Sequence, residues 1–273
     1  MSAVSRAEHT ASRAANSPAL ETLTRAGFIG YGIVHLLFAW LALQIAFGKP
    51  ADEGDQSGAM RTLAEQPLGK FLVIAVAIGL VAMAIWQLSE ALIGHTDEQG
   101  KRRAFERIAS AFRTIVYAYF AYTAWKVFQG EPSSTADSQQ KKTEDLLASG
   151  GGRTVVIIAG LALAGLGIGL VVYGVKKVFA RHLKTGLMSP QTRKLTMRLG
   201  MAGYSAKGVA YGIAGLLFVV AAATYDPAKA RGLDAALEAL RGQAYGAILL
   251  TLMALGIAAF GVFCFFQSKY RKV

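Results

Sequence analysis

The chain is poor in the features that staple or activate a soluble protein. Cys264 is its only cysteine, which excludes a disulfide scaffold. Charged residues make up only 17% of the 273, against about 25% in an ordinary soluble domain. None of the six prolines falls inside a long apolar run. There is no Gly-Lys-Ser/Thr phosphate loop, no Gly-x-Ser-x-Gly elbow and no His-Glu-x-x-His pair. No two carboxylates share a helix at catalytic spacing either, so the sequence predicts a protein that is not an enzyme. Apolar residues, in contrast, make up 53% of the chain, with a mean hydropathy of +0.38. That excess excludes global disorder and points to a membrane protein.

Uncharged apolar runs long enough to cross the bilayer occur at 28–47, 71–89, 154–175, 208–225 and within 242–268. A sixth segment, 109–129, has a cation near each end, Arg113 and Lys126. Such cations snorkel to the headgroups along their apolar stems, so this segment is read as the third of six spans. The fold class is therefore an all-α bundle of six transmembrane helices. With six spans, seventeen cations lie on the side of the termini and ten on the other. Cationic loops stay in the cytoplasm, which predicts a multi-pass protein of the bacterial inner membrane with both termini cytoplasmic. The net charge of +12 then reflects topology, and no nucleic-acid partner is expected. Residues 1–24 read as a polar cytoplasmic tail. Residues 131–152 read as a long outer loop with a short helical piece near 143–148.

The chain also resembles itself. The run Gly27-Phe28-Ile29-Gly30-Tyr31-Gly32-Ile33-Val34-His35 parallels Gly203-Tyr204-Ser205-Ala206-Lys207-Gly208-Val209-Ala210-Tyr211, and Arg113-Thr114-Ile115-Val116-Tyr117 keeps the same register. Gly69, Gly152 and Gly246 each precede an even-numbered span, and Glu90, Tyr173 and Gln267 follow them at equal distance. Three tandem hairpins result, at 25–107, 108–197 and 198–273, related by a pseudo-threefold axis along the membrane normal. A small amphipathic segment lies between the two helices of each, as Leu233, Leu237 and Leu240 suggest.

These starts, the run Ala230-Arg231-Gly232-Leu233-Asp234-Ala235-Ala236-Leu237 and the tail Lys269-Tyr270-Arg271-Lys272 resemble the domain of unknown function 1206 family. The resemblance covers about 23–273. It implies a bacterial six-helix membrane protein of three two-helix copies, and implies no activity. Copy one departs from the family pattern at Tyr31 and His35, and copy three at Gln267.

Polar groups at membrane depth are the candidate functional residues. The odd-numbered spans carry pairs at i, i+4, namely Tyr31 with His35, Arg113 with Tyr117, and Lys207 with Tyr211. With Glu90 as counter-ion to Arg113 or Lys207, they form an expected polar cluster at the cytoplasmic mouth. The cluster is either a structural lock or an ion path. His35 lacks a second membrane histidine for a haem, because His9, His95 and His182 fall in the tail and loops. No cofactor or metal is expected. Lys176, Lys177, Arg181, Lys184, Arg193, Lys194 and Arg198 form an acid-free loop, a candidate contact for anionic lipid headgroups. Gly165 with Gly169, and Gly208 with Gly212, have helix-packing spacing. Two functional classes follow: a non-catalytic membrane scaffold or accessory subunit, for which a membrane-protein partner is the candidate, and a small transporter or channel. The missing substrate motif favours the first.

Overall fold

The computed structural model describes residues 18–48, 54–94, 100–131 and 134–272. Most of the polar tail, with His9, and also His95 lie outside these residues. The described residues form nine α-helices in a long–short–long order that occurs three times. The first unit is α1 Pro18–Ala46, α2 Gln56–Ala64 and α3 Gly69–Leu92. The second is α4 Gly100–Gln129, α5 Thr135–Leu147 and α6 Gly152–Val175. The third is α7 Pro190–Thr224, α8 Leu233–Arg241 and α9 Gly246–Tyr270.

Five helices, α1, α3, α6, α7 and α9, are long and apolar enough to cross a membrane. Helices satisfy their own backbone hydrogen bonds, as hydrocarbon requires. The protein is a multi-pass membrane protein. The helix expected at 109–129 begins nine residues earlier, at Gly100, and its first turns carry Lys101, Arg103, Glu106 and Arg107. At 30 residues it is about 45 Å long. The fourth apolar run is likewise only part of a 35-residue helix, α7, capped by Ser189 and begun by Pro190. Hydropathy locates the apolar length of a helix, whereas Lys, Arg, Gln and Met extend it at little cost. Both junctions between units, 107/108 and 197/198, therefore fall inside helices. The helical piece expected at 143–148 is the longer α5, whose N-cap Ser134 accepts a hydrogen bond from the Asp137 backbone.

The short helices fold back into the long ones through one shared turn. The N–H of Gly69 donates to Gln66 O at 2.7 Å, that of Gly152 to Ser149 O at 3.2 Å, and that of Gly246 to Gln243 O at 2.9 Å. A Cβ at these glycines would strike the carbonyls of Leu63, Leu146 and Arg241. Only glycine permits this approach, which explains why the three recur in register.

The three short helices interlock into a lid over one end of the bundle. Thr135 N–H donates to Ser57 Oγ at 3.1 Å, tying α5 to α2. Gly54 N–H donates to Asp234 Oδ1 at 2.9 Å, tying the start of α2 to α8. Arg231 bridges Asp137 at 2.7 Å and Asp234 at 2.9 Å. Burial works against the Arg231 charge, but the Asp234 and Asp137 carboxylates outweigh it and raise its pKa. Leu237 is buried beneath α8, and Leu233 and Leu240 pack against the core.

The long helices follow one another in the order α4, α3, α1, α9, α7, α6. Contacts between units are extensive at α3·α4, α6·α7 and α1·α9, and within units at α1·α3 and α7·α9. The sixth pair, α4 with α6, does not pack in this way: their backbones do not run side by side. The ring is open there, so the second unit is not the packed hairpin expected from the sequence. The register supplies a reason. Within unit one, Gly27 meets Gly79 and Gly30 meets Val76. Within unit three, Gly203 meets Phe260 and Gly256 meets Ala206. In unit two, Ala109 stands in place of Gly27 and Gly203, and Phe112, 53% exposed, in place of Gly30 and Ala206. A phenyl group where the other copies have glycine or alanine holds two backbones apart.

Candidate functional site

The residues expected to form one mouth cluster separate into two layers. In the deeper layer, α1 contributes Tyr31 and His35, and α7 contributes Lys207 and Tyr211. On each helix these positions lie between the seam to one neighbour and the seam to the other, so they point inward. His35 Nδ1 lies 2.8 Å from Tyr31 O, one turn back, which assigns the hydrogen to Nδ1 and leaves a lone pair on Nε2. Lys207 Nζ donates to that Nε2 at 3.3 Å and to Tyr31 Oη at 3.2 Å. It also sits 4.0 Å from the Phe260 ring centroid, 5.3 Å from that of Tyr31 and 6.0 Å from that of Tyr211. Tyr117 reaches in from α4, its ring 5.7 Å from Tyr31. Phe260 lies ten residues before the end of α9, about 15 Å along the helix. The centre is therefore near mid-bundle and not at a mouth.

Among the described residues no carboxylate pairs with Lys207. Its neighbours are a neutral imidazole, a phenol and aromatic faces. Cation–π contacts and neutral acceptors stabilise an ammonium, but they leave its charge uncompensated. His35 is buried, whereas Lys207, Tyr117 and Tyr211 keep part of their surface. The centre offers the Lys207 ammonium with phenol O–H donors beside it, while the His35 N–H is spent on Tyr31 O. Such a set has the charge and the donors to hold an anion.

The second layer closes the end opposite the lid. Here Arg113 leaves the centre. It holds the register of Tyr31 and Lys207, but its guanidinium turns back to Ala109 O at 3.1 Å and Ser110 Oγ at 3.2 Å. It reaches Glu106 at 3.9 Å, and Arg181 donates to the other oxygen of the same carboxylate. Glu106, 5% exposed, is thus the counter-ion expected at Glu90. Neither Arg113 nor Lys207 pairs with Glu90, whose carboxylate lies beside Gly94 at the end of α3. Sequence reasoning missed Glu106 because it placed the start of α4 too late. Glu106, Ser110, Arg113 and Tyr117 share one helix face at 4-3-4 spacing, which would have exposed it.

The loop after α6 completes this end. Phe179 is fully buried, stacked on Tyr204 at 5.5 Å and edge-on to Phe263 at 5.1 Å. Lys184 N–H donates to Tyr270 O at 2.7 Å and Lys272 N–H to His182 O at 3.0 Å, fastening the loop to the C-terminal tail. Arg271, 7% exposed, covers the Phe28 and Trp86 rings and donates to Gln267 at 3.1 Å.

The candidate lipid-contact cations divide accordingly. Arg181 turns inward to pair with Glu106, with about a third of its side chain left exposed. Lys184 is half-buried, and Lys176 and Lys177 are exposed. Arg193, Lys194 and Arg198 lie on α7 and not in a loop. With Lys177, Met188 and Met197 they border an open groove of about 670 Å³.

The packing glycines also need correction. Gly165 and Gly169 are exposed, and nothing lies within 4 Å of a Cβ at either. The α6·α7 seam uses Gly160, Gly167 and Gly174 instead. A Cβ at Gly167 would lie 2.8 Å from Gly212 Cα, and one at Gly208 would lie 2.5 Å from Gly167 O. Gly208 and Gly212 thus line this seam, although a Cβ at Gly212 would point into open space. The same contact recurs between α1 and α9, where a Cβ at Gly32 would lie 2.7 Å from Gly261 O.

Comparisons with known proteins fit this architecture. The family model for Domain of Unknown Function (DUF1206) matches three times, at residues 26–94, 108–177 and 202–271. Each match spans two long helices and the short one between them. An "Uncharacterized protein YxxB" of Bacillus subtilis (strain 168) is 28% identical over 257 residues, which cover 94% of this chain and 93% of that protein. No solved structure matches. With its three repeats all matched, the chain belongs to the DUF1206 family.

Proposed function

We propose that the protein is a non-catalytic membrane protein that binds an anion at Lys207, as a binding protein or small carrier. The observation behind this reading is the ammonium inside the bundle with no paired carboxylate among the described residues. Charges at membrane depth are costly, and those that persist mark ligand or ion paths. In this reading α4 is a sixth span, with Arg107 and Lys126 snorkelling to opposite headgroup layers. The three units share a pseudo-threefold axis, supported by the matching registers of Gly32·Gly261 and Gly208·Gly167. The cation asymmetry supports cytoplasmic termini in a bacterial cell membrane. The groove at Lys177, Arg193, Lys194 and Arg198 then faces anionic headgroups.

A scaffold or accessory-subunit role is the second reading, favoured by the unpartnered edges of α4 and α6, which a partner helix could occupy. The test is native mass spectrometry of the full chain, with melting of the same sample in added acetate, phosphate or chloride. A single chain whose melting temperature rises with one of these anions supports the first reading. A stoichiometric protein partner and no anion response supports the second.

A further inference from the structure

Both ends of the bundle are covered. At one end α2, α5 and α8 are tied together through Ser57, Asp234 and Arg231. At the other, Phe179 is inserted among Tyr204 and Phe263, and Glu106 links α4 to the loop through Arg181. The opening in the ring is lateral, between α4 and α6. Positions on α6 that would face α4 are more exposed than their counterparts on α9, Gly256 and Phe260. Ala162 and Leu166 are exposed, whereas Phe260, in the register of Leu166, is 3% exposed. The opposite wall is Phe112, and Tyr117 stands one turn and a half further along the same helix. Tyr117 and Lys207 both keep part of their surface.

We infer that the gap between α4 and α6 is the entrance to the Lys207 centre, and that its ligand is an amphipathic anion that arrives through the bilayer: an acyl chain in the slot with its carboxylate or phosphate on Lys207. The proposal rests on the anion-binding reading above. Three features fit this ligand. The slot walls are apolar, through Ala162, Leu166 and Phe112. The cation lies inside, and the Tyr31 phenol that accepts from it still has its own hydrogen to donate to the same anion. The covered ends leave a membrane-borne ligand the shortest way in, whereas a water-borne anion would have to displace the lid or Phe179.

The test is equilibrium binding of radiolabelled oleate to the full chain in nanodiscs, with acetate as the soluble carboxylate and oleyl alcohol as the uncharged chain. Ala162→Trp fills the slot without touching Lys207, and Leu166→Trp does so independently. Both sites are exposed, so the variants fold, as size-exclusion profiles will check. Oleate is expected to bind wild type and to weaken about tenfold or more in both tryptophan variants and in Lys207→Met. Oleyl alcohol is expected to bind far more weakly. Wild-type affinity for oleate in both tryptophan variants would overturn lateral entry while leaving the Lys207 centre standing. Unchanged oleate affinity in Lys207→Met would sink the anion-binding reading itself. Acetate binding that depends on Lys207 without oleate binding would replace the amphiphile with a water-soluble anion.

Discussion

Lys207 and Arg113 occupy the same register in successive units, yet they solve the problem of a membrane cation differently. Arg113 has a guanidinium long enough to turn back to Glu106, Ala109 and Ser110. Lys207 instead points at neutral acceptors and rings. Glu106 is the residue whose loss the fold should feel. Glu106→Ala leaves Arg113 and Arg181 facing each other, and since both are about one-third exposed the cost is set at about 2 kcal/mol. A drop in melting temperature with retained folding would be the signature. A change within error would mean that water screens the two cations fully. The i, i+4 pairs made Tyr31, His35, Lys207, Tyr117 and Tyr211 legible in the sequence. Their separation from Arg113 was not, because it depends on a rotamer and on a helix start that hydropathy does not report.

At the scale of elements, the glycines decide which helices touch. Gly167 sits against Gly208 and Gly212, so Gly167→Leu should force α6 off α7 and cost about 3 kcal/mol or more, seen as lost folded yield. Gly165→Leu, two residues away, meets open space and should stay within about 1 kcal/mol of wild type, leucine being the better helix former. The reverse ranking would move the seam. The spans, the three turn glycines and the amphipathic short helices could be read from periodicity and repeat spacing. The seam could not, because Gly165–Gly169 and Gly208–Gly212 have the same spacing, and only the neighbouring helix distinguishes the packed face. The break in the second unit was present as Ala109 and Phe112, residues that gain meaning only beside Gly27, Gly30, Gly203 and Ala206.

For the whole molecule, the open ring makes a distance prediction. A disulfide needs Cβ atoms about 3.8 Å apart. In a Cys264→Ser background, Ala206→Cys with Gly256→Cys should oxidise readily, because these sites touch. Phe112→Cys with Ala162→Cys, the corresponding sites of unit two, should stay reduced in the isolated protein. Efficient bridging of the second pair would mean that the ring closes, and the lateral entrance would be lost. The family relationship gives the repeats and the five long apolar helices give the membrane setting, while the asymmetry that opens one side lies in the second copy.

The most direct measurement is the melting temperature of Lys207→Met against wild type, both purified free of added anion. If Lys207 is an interior charge waiting for a ligand, methionine removes an uncompensated cation and keeps its volume, so the variant melts at the same temperature or higher. It should also lose any stabilisation by the bound anion. A fall of several degrees would contradict the account, because it would make the contacts to His35, Tyr31 and Phe260 a lock that holds α1, α7 and α9 together.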